Sequence, residues 1–252
     1  MAIVEGMRTL GDDIVLLAID RDGRLRAAEK LRFAVAGSEL VRLAAERRVD
    51  VVDGRIHLLD ATPTGDEWLD AALVSIQGYA KPPRASRWVP SQRPGLVTRY
   101  LERLAAAGVV RVERRKALRI FTVTRWFVTD AARAAQARAR LDAVARSTGQ
   151  VDSEQSALGG LVHAVGLDAV LYPRSGGESN KLARERLRQI AKRDPAVRAV
   201  RSAAEAAAID ASIDASIDAA VDASVHAAVS ASVHAASHAA SHDGGGGGGG
   251  HH

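Results

Sequence analysis

The dipeptide Asp53-Gly54 in VDVVDGRIHLL constrains the chain most tightly. It reads as a two-residue hairpin turn, because both central residues of that turn take positive φ and Asp-Gly accepts this. With the turn there, Val51 faces Ile56, Val49 faces Leu58 and Asp50 faces His57. Side chains alternate along a strand, so the four apolar residues share one face, expected to be the buried one. His57 then reads as a cross-strand partner of Asp50 rather than as a catalyst. A helix over roughly Gly37 to Arg47, with Leu40, Leu43 and Ala44 on one face, precedes this hairpin. The pattern recurs. LVTRYLERLAAAGVV sets Val97, Tyr100, Leu101 and Leu104 at helical spacing, with Gly108 as the stop. VVRVERRKALRIFTVTRWF follows as a second hairpin whose tip carries Arg114, Arg115 and Lys116. Short strands are therefore expected at Val49–Leu58 and Val109–Val123.

Other local signals are helical. Thr9 with Asp12 three residues on is a capping signal, and the short apolar helix after it stops at the turn DRDG. In DATPTGDEWLDAAL, Thr64 or Asp66 caps a helix with Trp68, Leu69, Ala72 and Leu73 on one stripe. SALGGLVHAVGLDAVLYP reads as an apolar helix ended at Tyr172-Pro173, with His163 at a core edge. His163 and Asp168 lie five apart, too far round one helix for an ideal pair. NKLARERLRQIAKRDPAVRAVRSAAEAAA gives two helices broken at Asp194-Pro195. From Ile209 a four-residue unit repeats, IDAS IDAS IDAA VDAS, and the chain ends in glycines and histidines. A period of four drifts by about 40° per unit against 3.6 residues per turn, so its apolar stripe spirals. A marginal helix or disorder is expected over 209–252, and low-complexity drift rather than a metal site at His234, His238 and His242.

Of 252 residues, 47% are hydrophobic, enough to bury a core, and there is no cysteine to form a disulfide or a thiolate zinc site. The longest apolar run, Ile14 to Ile19, is far too short to span a bilayer, and the N-terminus lacks the apolar run of a signal peptide. A cytoplasmic protein is expected. The formal net charge is +5, yet Arg84 to Arg140 holds 14 basic residues against Glu102, Glu113 and Asp130. That block suits a polyanion, either an anionic membrane surface or a nucleic acid. Helix then hairpin, twice, is also the pattern of a winged helix, so a nucleic-acid-binding protein is the rival reading. No recognition helix rich in Asn, Gln and Arg accompanies it, and nucleic acid is not the expected partner. No Ser-His-Asp spacing, phosphate-binding glycine loop or metal-ligand cluster outside the tail is evident, so neither an enzyme nor a cofactor is expected.

In order, LGDDIVLLAID, DRDG, LVRLAAERRVDV, DATPTGDEWLDAAL, LERLAAAGVV and RERLRQIAKRDPAV resemble the Golgi phosphoprotein 3 family, in its bacterial branch. The similarity spans roughly residues 9–208, and its most specific piece is PTGD followed by LD and AL. It implies a mainly α, compact helical-bundle domain over 1–208 with short β-hairpins, followed by the low-complexity tail. It also implies a non-enzymatic, peripheral membrane protein that binds phosphatidylinositol 4-phosphate and acts as an adaptor for protein clients. The family's headgroup site uses a Trp, an Arg and two later basic residues. Those positions fall here at Ala28 (Ala27 with a one-residue shift), Ala36, Pro94 and Val97, so none carries over. The basic N-terminal arm that the family uses for coat binding is also missing, since the resemblance starts near Thr9. Arg26, Arg32, Arg93 and Arg99 lie nearby as candidates for a different anion site. The projecting hairpin, implied to serve membrane contact and self-association, offers Arg114, Arg115 and Lys116 with Leu118, Ile120, Phe121, Trp126 and Phe127. Alternate strand residues must face a core, so packing is the expected role of the aromatics.

Overall fold

A computed structural model describes residues 9–92, 95–117 and 121–206; the side chains of residues 115–117 and 121–122 also fall outside the description. The elements run α1 (Leu10–Ala18), α2 (Ala28–Ala45), β1 (Val49–Val52), β2 (Arg55–Leu58), α3 (Glu67–Gln77), α4 (Ala85–Ser91), α5 (Leu96–Ala106), β3 (Val110–Ala117), β4 (Phe121–Val128), α6 (Ala131–Arg146), α7 (Ser153–Ala164), α8 (Asp168–Leu171) and α9 (Gly177–Ala191). Helix α10 covers residues 195–206. The chain divides after Glu205, in the last turn of α10, and the repeat from Ile209 lies outside the described residues. The fold is mostly helical, with two separate antiparallel hairpins.

Two helices form the centre. All nine residues of α1 are buried, and α7 buries Ala157 through Val162 without a break. Helices covered this completely lie inside the bundle, and in α1 the cover extends even to Asp12 and Asp13. Around them pack α2, α5, α6 and α9. Glycines set how closely they approach. A Cβ on Gly159 would lie 2.8 Å from both Leu187 of α9 and Val144 of α6, and one on Gly160 would lie 3.0 Å from Val197 of α10.

The element ends follow local chemistry. Thr9 and Asp12 form a reciprocal capping box, Asp66 caps α3 through the N–H groups of Trp68 and Leu69, and Asp194 accepts from Ala196 and Val197 to start α10. Asp20 accepts from Asp22 and Arg24 in the turn after α1. Helix α2 starts nine residues before the expected Gly37. Its first boundary is Ala27 in the left-handed region at φ 52°, with no side-chain cap, so no start signal stands in the sequence.

The first hairpin has the expected register, Val49 opposite Leu58, Asp50 opposite His57 and Val51 opposite Ile56. Val49, Val51 and Ile56 are buried, but Leu58 is 41% exposed, against the expectation of one buried face. The hairpin meets α2 through β1 and α3 through β2, and Leu58, the last residue of β2, is left partly uncovered. The second hairpin runs to Val128, five residues past the expected Val123. Its residues 118–120 lie outside the described residues.

Val97 is half-buried and Leu96 takes its place in the α5 stripe, beside Tyr100, Leu101 and Leu104. The apolar segment after Asp152 is two helices rather than one. The break at Val165-Gly166, with Gly166 at φ 76°, turns Asp168 back so that its Oδ2 lies 2.9 Å from His163 Nδ1. The pair that one straight helix would forbid therefore forms.

Candidate membrane-docking surface

The specific segment PTGDEWLD spends its polar atoms on structure. The Thr64 N–H and hydroxyl both donate to Asp70 Oδ1, at 2.6 and 2.7 Å, so the turn is locked to the first turn of α3. Those two bonds hold the Asp70 carboxyl below the usual carboxylate range. Arg42 Nη2 donates to Asp66 Oδ2 at 2.9 Å and ties α2 to the N-terminus of α3. Trp68 lies beneath two guanidinium groups, Arg99 at 5.2 Å and Arg103 at 5.0 Å from its ring centre, with Tyr100 edge-on at 5.0 Å. Burial and the nearby Glu39 carboxylate push the Tyr100 hydroxyl well above its ordinary pKa.

Part of the basic block is spent on ties inside the bundle. Arg103 Nη2 donates to Asp12 Oδ1 at 2.6 Å and to Thr9 Oγ1 at 3.0 Å, and Arg133 reaches Asp12 at 4.0 Å. Arg140 bridges Asp13 at 2.7 Å and Glu154 at 2.8 Å, joining α6 to α1 and α7. Arg138 donates to Asp142 and lies over the Tyr172 ring, while the Tyr172 hydroxyl donates to Asp142 at 2.6 Å. Asp12 and Asp13, 2% and 0% exposed, are acids from outside the block, so counting charge along the sequence overstates its surface charge. These buried partners were not legible beforehand, since they lie 91 and 127 residues from their arginines.

Of the expected headgroup candidates, each described one has its own local neighbour. Arg26 lies 3.7 Å from Asp20, Arg32 stacks 4.6 Å above Phe33, and Arg99 stacks on Trp68. Arg93 and Pro94 lie outside the described residues. Ala36 is fully buried in α2, so its side chain is core.

The second hairpin grows directly out of α5. Gly108, at φ 72°, ends the helix, and Val109 N–H closes the turn onto Leu104. The hairpin base is pinned by Trp126 N–H to Gly23 O at 2.9 Å and by Thr129 and Asp130 N–H to Val109 O. Trp126 is buried, and Phe127 is half-buried under Arg111, against Gly23. The two neighbours lie on opposite faces of β4, and of the two Trp126 is the one that is buried. Arg114 is exposed, and Arg111, also exposed, pairs with Glu113. In the β3–β4 ladder Arg114, Arg115 and Lys116 stand opposite Thr124, Val123 and Thr122. The side chains of Arg115, Lys116 and Phe121, and all of Leu118 and Ile120, lie outside the described residues.

Among the described residues no helix is long and apolar enough to cross a membrane, and no cluster of three His, Cys, Asp or Glu side chains could hold a metal ion. A search of curated proteins found no match. The family model for Golgi phosphoprotein 3 (GPP34) matches residues 10–207, which takes in every element from α1 to α10, so the chain belongs to that family.

Proposed function

We propose that this protein is a peripheral membrane-binding module, not an enzyme, that docks on anionic phospholipid from the cytoplasmic side through the second hairpin. The observation that carries this reading is where basic charge is left over. Arg103, Arg133, Arg138 and Arg140 are spent on buried or half-buried carboxylates, while Arg114 on β3 is exposed, as are Arg84 and Arg87, and in sequence it alone continues into two further basic residues, Arg115 and Lys116. Family membership supports a binding role, including adaptor contacts with protein clients and self-association through the hairpin. Phosphatidylinositol 4-phosphate is the family's ligand, but Ala28, Ala36, Pro94 and Val97 stand at its headgroup positions. Attraction to net negative charge with little headgroup preference is therefore the expected mode.

Each basic residue near an anionic surface contributes about 1 kcal/mol, so three acting together give about a hundredfold in affinity. Exposed charges are screened over about 8 Å in physiological salt. Flotation with phosphatidylserine vesicles should show binding that weakens steeply as salt rises. Replacing Arg114, Arg115 and Lys116 together by Glu should release the protein. Binding that ignores salt, or survives the triple replacement, would refute electrostatic docking through this hairpin. Strong selectivity for phosphatidylinositol 4-phosphate vesicles would show a rebuilt headgroup site instead. DNA binding at the same salt would favour the nucleic-acid reading.

A further inference from the structure

Leu58, on the face expected to be buried, and Tyr79, just past α3, are 41% and 45% exposed. They line a cavity of about 220 Å³ together with Ile56, His57, Lys81 and Pro83. The cavity lies along the outer edge of β2. On its inner side β2 pairs with β1. On its outer side Arg55 bridges Arg84, Ile56 N–H donates to Pro83 O at 2.9 Å, and Ala85 N–H donates to Gly54 O at 2.8 Å.

That antiparallel register places Ile56 opposite Pro83 and, if continued, would place Leu58 opposite Lys81. Facing residues of the bonded kind exchange two hydrogen bonds. Proline has no N–H, so Pro83 cannot return the bond to the Ile56 carbonyl, and Pro82 cannot donate either. The short ladder therefore stops at Pro83. Backbone groups alternate sides along β2: Ile56 N–H points outward to Pro83, while Leu59 N–H points inward to Arg48 O. Leu58, in step with Ile56, turns its N–H and C=O toward the groove. Edges of this kind are normally blunted by a charge or a covering loop. Here the prolines end the cover and the next outward position carries leucine.

We propose that this edge binds an extended acidic peptide, which pairs with the outward N–H and C=O of Leu58, the first position past the proline cover, and seats an apolar side chain against Leu58 and Tyr79. Main-chain groups facing a groove select an extended backbone, and the pockets beside them select alternate side chains. The charge comes from the lining: Lys81 is its basic residue, and no carboxylate is among the described residues that line it. This surface is independent of lipid docking, which uses the second hairpin.

A phage-displayed library of random dodecamers, panned on the full chain, tests it. Enrichment of sequences that alternate β-branched residues with Asp or Glu is expected. A synthetic copy of the leading peptide, followed by fluorescence anisotropy, should lose at least tenfold in affinity against Leu58→Glu and against Lys81→Glu. Circular dichroism should show both variants folded, since both side chains are exposed in the fold. Methylating alternate backbone amides of the peptide should abolish binding if main-chain bonds hold it. No enrichment, a basic consensus, unchanged affinity in the variants, or full affinity of the methylated peptide would each overturn the proposal. So would sedimentation showing a dimer that Leu58→Glu dissolves, because a second copy would then cover the edge.

Discussion

At the residue scale the least expendable groups are the carboxylates that α1 carries into the core. Asp12 is 2% exposed, and its close ion pair is with Arg103, whose guanidinium also lies over Tyr100 and Trp68. Removing one partner of a buried pair leaves a desolvated charge and costs about 3–5 kcal/mol. Arg103→Met should therefore destabilise the protein by about 3 kcal/mol, since Arg133 at 4.0 Å partly replaces it. For a domain of this size that lowers Tm by about 6–12 °C, measurable by calorimetry. A loss under about 1 kcal/mol would mean that Arg133 or water takes over fully. Gly37 tests packing rather than charge. A Cβ there would overlap Val200 of α10 and lie 2.8 Å from Leu161 of α7. Gly37→Ala should cost about 1–3 kcal/mol by forcing those side chains aside, although alanine is the better helix former.

At the element scale the break between α7 and α8 illustrates what a sequence conceals. Gly166 has nothing near its missing Cβ, so the effect of Gly166→Ala comes from φ 76° alone. A loss of about 1 kcal/mol is expected in urea unfolding, with the core otherwise intact. Larger damage would mean that the His163–Asp168 pair depends on that turn. Capping residues and hairpin register were legible because they depend on neighbours within a few positions: Thr9 with Asp12, Asp66 before α3, Asp53-Gly54 between paired valines. The start of α2 was not, because Ala27 begins it through backbone conformation rather than a cap. The exposure of Leu58 was not either, since alternation gives the face of a strand but not how far its cover extends. At the candidate surface, the packing of Trp126 followed from alternation. The inward turn of Arg103, Arg133 and Arg140 did not, because their partners lie on other helices.

At the scale of the whole domain, arginine–carboxylate ties connect several helices of the bundle. Arg42–Asp66 joins α2 to α3, Arg103–Asp12 joins α5 to α1, Arg140 joins α6 to α1 and α7, and Arg138 and Tyr172 meet at Asp142. Such a design predicts acid sensitivity. Burial alone would raise the Asp66 carboxyl, but Arg42 and the Trp68 and Leu69 N–H groups outweigh it and hold it below its ordinary value. Burial likewise opposes ionisation of Asp142, and the Tyr172 hydroxyl with Arg138 overcomes it. A carboxyl with a lowered folded-state pKa binds protons more readily when unfolded. Its contribution is therefore fully present above the unfolded value of about 3.9 and is lost as pH falls through the folded value. Urea unfolding of the wild type should show stability falling steeply below about pH 4. In Asp66→Asn the amide still caps α3 but cannot form the ion pair with Arg42. That variant should be less stable at neutral pH and should lose less on acidification. Asp142→Asn should behave the same way through Arg138. Wild-type and variant curves that run parallel through the acid range would show that these ties contribute no pH-dependent stability.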